Sequence, residues 1–376
     1  MKVTSVDAYL LPKTESPSGW MTVKPLLYVK VSTDEGVIGW GEAYTLAYRE
    51  IATMKIIEAI AGCLLERDPL DIDSFISMCQ VDIAERRPGI DFFCAQSALE
   101  IALWDIVGKV HGRPVRELLG NVEHDSIMLY ANCWSQVSKT VDEVVKQVQI
   151  ASESGFSAVK LYPFMMSDDL VKAASATHQV CRAVSGEVEI FLDLSRRLDV
   201  QTSIDFVKNL RDAPIAWFEE PTSSRHLGQL AKINRQIDLP VVTGESVCGV
   251  SEFEPVISMG AADIINPDVA ACGGLLELTY IAQMAHSSSI KVAPHNYNSM
   301  DVGLMATAQA AAIIPNFTIA EYFPDHALCW AGLSEMDMRL EAGFLYLGQE
   351  QGIGIAVDEA QLRSIAVAKV GCKRHG

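Results

Sequence analysis

The sequence has no long apolar run and no closely paired cysteines. A membrane-spanning helix needs about 20 consecutive apolar residues, and the best candidate, residues 304–314, is short and interrupted by Thr307 and Gln309. We therefore expect a buried helix there and no membrane partner. The first residues lack the apolar stretch of a secretion signal. The nine cysteines form no CxxC pair, which is typical of reduced thiols. The expectation is a cytoplasmic protein.

Positive charge is also scarce. The 376 residues include 30 Lys and Arg against 48 Asp and Glu, a formal net charge of −18. The basic residues do not gather into runs, so a nucleic-acid partner is not expected. No HxH pair occurs, which argues against a zinc amidohydrolase, and no GxGxxG or GxxxxGKS motif indicates a bound nucleotide. We predict that the protein needs no organic cofactor.

What is present divides into two patterns, and the first occupies the N-terminal third. Residues 1–45 are rich in β-formers, with a hairpin turn at 33–36. From about 50 to 120 the apolar period changes to 3.6, most clearly in the amphipathic helix 95–109. Strands followed by helices, without alternation, indicate a separate α+β domain, which we predict at residues 1–125.

The second pattern is a strict alternation of short apolar segments with helical ones such as 140–153 and 168–184. It is typical of a (β/α) barrel, predicted at residues 126–344. The segment 345–357 is β-rich again, and we expect the tail, about 345–376, to complete the N-terminal domain. The eight predicted barrel strands are 127–132, 158–162, 190–194, 216–218, 241–243, 264–266, 291–293 and 318–320.

Seven of these strands end at or near an ionisable side chain that can bind a metal or transfer a proton. Successive steps along the chain are 33, 26, 26, 23, 27 and 26 residues, so one βα unit separates each side chain from the next. The carboxyl ends of barrel strands meet at one mouth, where the active sites of such enzymes lie. The spacing therefore predicts one active site ringed by Lys160, Asp193, Glu219, Glu245, Asp268, His295 and Glu321.

Three of the seven are carboxylates from consecutive strands: Asp193, Glu219 and Glu245. Oxygen ligands without Cys or His suit Mg²⁺, or Mn²⁺, better than zinc. Any one of them could instead cap a helix or pair with a lysine. Three that converge repel one another unless a cation lies between them, so we predict a divalent-metal site.

The other four suggest acid–base chemistry. His295 and Asp268 follow adjacent strands, so the carboxylate can orient the imidazole and raise its basicity. Lys160 and Tyr162 are two residues apart on one strand and face the same side. Lys160 could stabilise enolate charge or lower the pKa of Tyr162 as an adjacent cation, and Tyr162 is either a base or only a substrate contact. Glu321 is either a general acid or a structural residue.

The chain resembles the enolase superfamily, specifically its mandelate racemase-like branch, over essentially its whole length. The helix SALEIALWDIVGKVHGRPVRELLG is similar to the signature of the family's capping domain. The segments VKLY, FLDLS, WFEEP, TGES, NPDVAACGG and KVAPHN follow in family order, before QGIGIAVDEAQL in the tail. The resemblance implies an α+β capping domain, formed by the N-terminal region and the C-terminal tail, over a modified (β/α)7β TIM barrel.

The resemblance also implies a chemistry. Mg²⁺ held by Asp193, Glu219 and Glu245 would chelate the substrate carboxylate, make its α-proton acidic and stabilise the enediolate. His295 with Asp268 would act on one face of the substrate, and the strand that carries Lys160 supplies a base on the other. Many relatives are homo-oligomers, so a homo-oligomer is expected by analogy.

Two residues depart from the family pattern. Tyr162 replaces the second lysine of the usual KxK motif, and Ser195 replaces an asparagine two residues after the first metal ligand. A racemase needs two competent bases, and a tyrosine with an unperturbed pKa of about 10 is a poor one at neutral pH. The change favours β-elimination of water, as in acid-sugar dehydratases that form a 2-keto-3-deoxy acid. The alternatives are a racemase or epimerase in which Tyr162 has a lowered pKa, a cycloisomerase, and a non-catalytic ligand-binding homologue.

The expected substrate is a small carboxylic acid, most specifically an acid sugar. Loops are where specificity resides, so we predict contacts from the capping loops 12–25 and 44–50 and from the segment after Asp193. Arg196 and the adjacent Arg197 either contact a distal carboxylate or hydroxyls of the substrate or are ordinary surface arginines. The predicted substrate contacts are Trp20, Lys24, Arg49, Ser195 and Arg196.

Overall fold

The structure is a computed structural model and describes residues 1–210, 213–297, 299, 301–324 and 332–373. None of the helices in these ranges is both long and apolar enough to cross a lipid bilayer. The helix expected at 304–314 is Asp301–Ala311, and all of its residues are buried. Alanine and Gly303 let its neighbours approach on every side, so it packs inside the protein.

The N-terminal residues form an antiparallel sheet covered by helices. Gly39 and Gly41 are required where the longest helix crosses the sheet, because a Cβ there would collide with the carbonyl groups of Ala102 and Ala98. That helix contains the predicted segment 95–109 and ends at Gly112 in a left-handed conformation. The elements are β1 (Val3–Leu10), a 3-10 turn (Trp20–Thr22), β2 (Leu27–Thr33), β3 (Ile38–Ala43), α1 (Glu50–Leu64), α2 (Ile72–Ser77), a π-helical turn (Met78–Ile83), α3 (Ile90–His111) and α4 (Arg116–Leu119).

Strands and helices then alternate. The strands are β4 (Ile127–Asn132), β5 (Ala158–Leu161), β6 (Glu189–Asp193), β7 (Ile215–Glu219), β8 (Val241–Thr243), β9 (Ile264–Ile265), β10 (Lys291–Val292) and β11 (Ala320–Tyr322). The helices are α5 (Val141–Glu153), α6 (Pro163–Met166), α7 (Leu170–Ala183), α8 (Val200–Leu210), α9 (Leu227–Asn234), α10 (Gly249–Ser258), α11 (Leu275–Ser287) and α12 (Asp301–Ala311).

The eight parallel strands close on themselves. They pair in chain order from β4 to β10, and β11 pairs with β4. A parallel bridge between Val292 and Phe317 joins β10 to the segment that leads into β11. The predicted combination of a capping domain and a barrel is therefore confirmed. Strand ends differ from the predicted ones by at most two residues, and the largest difference is in the last strand, expected at 318–320.

The barrel interior has an apolar floor to which each strand or its extension contributes one residue: Tyr130, Ala158, Phe191, Trp217, Val242, Ile264, Ala293 and Ile319. Phe191 and Trp217 stack at 3.8 Å between ring centroids, and Tyr130 meets both edge-on. Side chains in a strand alternate between faces, so the residues two positions further along point into the same interior, one layer nearer the mouth.

The tail continues as β12 (Ser334–Met336), β13 (Met338–Glu341), β14 (Phe344–Leu347), β15 (Ile355–Val357), α13 (Glu359–Ile365) and β16 (Ala368–Lys373). The expectation that the segment 345–357 returns to the N-terminal domain is wrong for β14, which pairs antiparallel with barrel strand β4. The tail nevertheless contacts the cap at Gly348, whose carbonyl accepts from the Arg116 guanidinium at 2.7 Å, and at Gly352, whose carbonyl accepts from the Val115 amide. The cap sheet itself is completed by β16, which pairs with β1.

Candidate active site at the barrel mouth

The mouth carries the charged layer directly above the apolar floor. On β5, β6 and β7, each floor residue is followed two positions later by Lys160, Asp193 or Glu219. The same step leads from Ile319 to Glu321 and from Ala293 to His295. Because alternate residues of a strand share a face, the barrel directs these side chains into one cavity. All seven residues predicted from their spacing are buried here.

The candidate metal ligands are close to one another. Asp193 and Glu219 are opposite each other in the register of β6 and β7. Glu219, Glu245 and His295 each offer one atom within a group spanning no more than 4.8 Å. That compact group includes His295 in place of Asp193, whose Oδ1 accepts a hydrogen bond from the Ser195 amide at 2.7 Å. The structure thus offers a candidate acidic and histidine metal site.

The chemistry of these carboxylates fits a divalent cation. Oε2 of Glu219 is buried and has no hydrogen-bond partner within the described part of the chain, while Oε1 accepts from Lys160 at 2.9 Å and from Asn266 at 3.0 Å. Burial raises the pKa of Asp193 to about 6 and that of Glu219 well above its usual range. Burying carboxylates this close together is costly without a counter-charge, and a divalent cation would supply one.

Two basic side chains reach the same carboxylates. Lys160 Nζ lies 2.9 Å from Glu219, 2.7 Å from Glu321 and 3.9 Å from Asp193. Burial opposes its charge, but Glu219 and Glu321 raise the pKa of Lys160 well above its usual value. The Arg196 guanidinium lies 3.0 Å from Glu245. The neighbouring carboxylates therefore favour the charged form of Lys160.

His295 and Asp268 form a buried dyad. Nδ1 of His295 lies 2.8 Å from Oδ2 of Asp268, and a parallel bridge joins the two residues' backbones. Asp268 also accepts backbone N–H groups from Tyr297 and Ala270, so its carboxylate is held in place. Nε2 of the imidazole faces the site, 3.3 Å from both Glu245 and Glu321. Burial opposes the imidazolium charge, but these acids, led by Glu321, raise the pKa of His295.

Tyr162 lies at the same mouth but in different surroundings. Its hydroxyl accepts a hydrogen bond from the Asn132 side chain at 2.8 Å. Burial raises the pKa of Tyr162 well above its usual value, although the Lys160 cation, 5.9 Å from the ring centroid, acts in the opposite direction. Lys160 thus acts on the pKa of Tyr162 in the expected direction, but desolvation outweighs the neighbouring charge and the net shift is upward.

Trp20 and Lys24 reach the mouth from the capping domain. The Trp20 ring packs against Trp134, Tyr297 and Phe323, with centroid distances of 4.4, 5.1 and 5.0 Å. Lys24 is 1% exposed, and its ammonium donates to the Tyr297 carbonyl and lies 4.7 Å from the centroid of that ring. Burial lowers the pKa of Lys24 to about 8. Both residues therefore contact the segment that follows His295.

Of the other predicted substrate contacts, Ser195 and Arg196 lie beside the site carboxylates, whereas Arg49 does not. Ser195 and Arg196 both have left-handed backbones, with φ of 51° and 63°, and the Ser195 hydroxyl lies 3.4 Å from Asp193. Arg49 is half exposed and pairs with Asp91, further out. Arg197 is half exposed and pairs with the exposed Asp168 at 2.6 Å.

Sequence reasoning missed several polar residues of the site. Asn132 ends the first barrel strand and donates to Glu321 at 2.6 Å as well as to Tyr162. Asn266, two residues before Asp268, holds Glu219. Both occupy strand ends, so the positional pattern that identified the seven would have found them had amides been included. Glu220 gave no such signal, because its left-handed backbone, with φ of 43°, directs the side chain towards Thr243.

The fold and the mouth define a class: a capped α/β-barrel enzyme with clustered carboxylates and a histidine–aspartate dyad. Residues 6–120 match the mandelate racemase / muconate lactonizing enzyme N-terminal domain, and residues 143–361 match the enolase C-terminal domain-like family. The chain belongs to the mandelate racemase / muconate lactonizing enzyme family of the enolase superfamily.

Similar proteins extend over nearly the whole chain. D-galactonate dehydratase of Verminephrobacter eiseniae is 28% identical over 372 residues, covering 96% of this chain and 93% of that protein. D-galactarolactone cycloisomerase of Agrobacterium fabrum is 28% identical and covers 84% of both chains. The crystal structure of an enolase from Sargasso Sea environmental shotgun sequencing superimposes with a TM-score of 0.93 at 30% identity, covering 99% of this chain and 98% of that one.

Proposed function

We propose that the protein is a Mg²⁺-dependent acid-sugar dehydratase, which removes the α-proton of a sugar carboxylate and eliminates the β-hydroxyl as water to give a 2-keto-3-deoxy acid. The observation that carries the proposal is the inequality of the two candidate bases. His295 belongs to a buried dyad with Asp268, whereas the hydroxyl of Tyr162 is desolvated and has a raised pKa. Dehydration can proceed with one such group, but racemisation needs two. The relatives named dehydratases support the same reaction.

Asp193, Glu219 and Glu245 are the residues that we propose hold the metal. A bound Mg²⁺, or Mn²⁺, would act as a Lewis acid that makes the α-proton of a carboxylate acidic and stabilises the charge that develops on the carboxylate oxygens. The unpartnered oxygen of Glu219 and the absence of sulfur among these three residues support a hard cation. Ser195 and Asn266 orient two of the carboxylates through the hydrogen bonds described above.

The proton steps fall to His295. Its Nδ1–H donates to Asp268, so Nε2 faces the substrate, and the carboxylates that raise the pKa of His295 make it a stronger base and favour the imidazolium that forms when it accepts a proton. Nε2 takes the α-proton, and the resulting imidazolium donates a proton to the departing β-hydroxyl, so that water leaves and the enol product tautomerises to the keto acid. Lys160 supplies a fixed positive charge beside the substrate carboxylate, and Glu321 fixes Lys160 and Asn132.

The remaining assignments rest on analogy and position. We infer a homo-oligomer by analogy with the family, and a cytoplasmic enzyme because the relatives are metabolic enzymes of small acids. The domain division at 1–125 and 126–344, with the tail from about 345 returning to the cap, is proposed with one amendment, since β14 belongs to the barrel sheet. Trp20 and Lys24 are proposed to close the site over the substrate.

A panel of aldonic and aldaric acids, incubated in D2O with the Mg²⁺-loaded protein, tests the reaction. Formation of a keto acid, detected with semicarbazide, is the expected result, and chelation of the metal should abolish it. Deuterium exchange with inversion of the re-isolated substrate and no keto acid would instead identify a racemase. Lactone isomerisation without water loss would identify a cycloisomerase, the reaction named for the Agrobacterium fabrum relative. Either result would overturn the proposal.

A further inference from the structure

A cleft opens beside the metal carboxylates at the junction of cap and barrel. Its volume is about 570 Å³, within the range that small-molecule sites occupy, which is about 300–1,000 Å³. The cap contributes Leu46, Arg49 and the start of α3, and the barrel contributes the loops after β7 and β8. Arg196 connects the two places, because its guanidinium lies 3.0 Å from Glu245 and also lines the cleft. The cleft therefore lies next to the proposed metal ligands, with Arg196 between them.

The lining of the cleft favours an anion that also carries hydroxyl groups. Three guanidinium groups face it, from Arg49, Arg196 and Arg225. Arg225 has no ion-pair partner among the described residues, and Arg49 is paired with the partly exposed Asp91. The serine hydroxyls at the cleft are those of Ser223, Ser224, Ser246 and Ser251, of which Ser224 and Ser246 are hydrogen-bonded at 3.2 Å.

The backbone adds to this preference. The cleft includes Leu227, the first residue of α9, and Cys248 with Ser251, around the first turn of α10. The N-terminus of a helix carries a partial positive charge, which favours an anion. At α10 the N–H groups of Gly249 and Val250 are already bonded to the Cys272 carbonyl and to Glu277, so its contribution is that of the helix dipole. Glu252 is the one acidic side chain among the described residues that line the cleft, and it accepts the Cys248 N–H. The positive lining contrasts with a chain whose net charge is −18.

We infer that this cleft is the subsite for the second carboxylate of a diacid substrate, so that the preferred acid sugar is an aldarate rather than an aldonate. The inference rests on the proposed function, because the first carboxylate is assigned to the metal. A six-carbon diacid would then present its hydroxyls to the serines and its far carboxylate to Arg225 and Arg49. Arginine suits this task because its planar fork binds a carboxylate with two parallel hydrogen bonds.

Each aldarate should be compared with the aldonate of the same configuration, in the wild type and in Arg225→Met. Arg225 is exposed and lies outside the proposed catalytic groups, so the fold should be unaffected. The expected result is a preference for the diacid and a KM for the diacid that rises about ten- to a hundredfold in Arg225→Met, the size of a lost charge-assisted contact. The kcat for the diacid and the KM for the aldonate should change by less than about threefold, and Arg225→Lys should recover part of the loss.

Arg235→Met provides the matched control, since Arg235 is exposed at the opposite end of α9. Calorimetric titration of the Mg²⁺-loaded His295→Asn variant, with and without Arg225→Met, measures binding without turnover. Equal effects of Arg225→Met on diacid and aldonate, or no effect on either, would overturn the inference and leave the dehydratase intact. If no acid sugar is bound or dehydrated by the wild type, the proposed function itself is wrong.

Discussion

The floor and the mouth of the barrel are built from the same eight strands, often from residues only two positions apart. The floor is packed with apolar side chains, whereas the mouth buries charged ones. On β7, Trp217 stacks in the apolar floor, and Glu219 lies one layer above it with a carboxylate oxygen that has no partner in the described structure. The floor gains stability from burial and packing. The mouth buries charges at a cost, which indicates that its residues are retained for chemistry and not for stability. Substitutions in the two layers should therefore separate stability from activity.

The largest expected effect is on the rate, in the mouth. His295→Asn removes the proposed base while keeping a polar side chain of moderate size, so turnover should fall about 10²- to 10⁴-fold, the usual contribution of a general acid–base group. Thermal unfolding should shift little. His286→Asn, at the exposed end of α11, is the matched control and should be fully active. Turnover of His295→Asn within a few-fold of the wild type would show that another group moves the proton.

The next largest effect is on stability, in the floor. Trp217→Ala removes a ring that is 2% exposed and stacked on Phe191, and it should destabilise the protein by about 3–5 kcal/mol. The indole N–H has no partner among the described residues, so the loss is one of packing. Urea unfolding measures the change, and the kcat of the folded variant should remain near that of the wild type.

Glu219→Gln, two residues along the same strand, is the counterpart of that variant. It should abolish Mg²⁺ binding measured by calorimetry without a comparable loss of stability, since it also removes a buried charge. If both variants lost stability equally and both still bound Mg²⁺, the distinction between the two layers would fail.

A smaller effect is expected at Lys24, the buried lysine that the cap places at the mouth, and it should appear as a dependence of stability on pH. Burial lowers the pKa of Lys24 from 10.5 to about 8, which corresponds to about 3 kcal/mol between the two protonation states. Between these pH values the unfolded chain binds more protons than the folded one, so wild-type stability should rise with pH in this window. Below pH 8 the buried ammonium costs stability, so Lys24→Met should be relatively most stable near pH 7 and lose that advantage by about pH 10.5.

Unfolding midpoints at a series of pH values measure this difference. Lys55→Met, at an exposed residue of α1 that pairs with Glu58, is the control and should show no such dependence. A stability difference between Lys24→Met and the wild type that stays constant from pH 7 to 10.5 would mean that Lys24 retains its ordinary pKa.

The smallest effect is expected at Tyr162. Its hydroxyl accepts from Asn132 and has a raised pKa, so Tyr162→Phe should lower turnover by less than about tenfold, consistent with one lost neutral hydrogen bond. Keto-acid formation and α-deuterium exchange should fall together. A loss comparable to that of His295→Asn would make Tyr162 a base and favour the racemase alternative.

The parts of the fold and site that sequence predicts are those governed by regular spacing. Strand period and βα length place Lys160, Asp193, Glu219 and Glu321 at one mouth, because the barrel converts equal steps along the chain into a ring. The same rule fails for β14, whose pairing with β4 depends on which sheet edge is free and not on local pattern.

The outcome of two opposing effects of similar size also could not be predicted from the sequence. The lowered pKa suggested for Tyr162 assumed that the Lys160 charge would dominate, but the extent of burial, which opposes it, is set by the whole fold. Arg196 and Arg197 are adjacent in sequence, yet one reaches Glu245 and the other Asp168. The left-handed backbone at Ser195 and Arg196, which accompanies this divergence, is a feature that no local sequence pattern indicated.

The pairing of β1 with β16 has a consequence for the order of assembly during synthesis. Residues 368–373 leave the ribosome after the whole barrel, so the cap sheet lacks its edge strand until then. The ion pair between Lys30 and Glu359, at 2.5 Å, joins the cap to the same late segment. We expect the barrel to form first and the cap to settle over it at the end, bringing Trp20 and Lys24 onto the mouth. The reactive groups of the barrel would then be assembled before the cap docks over them.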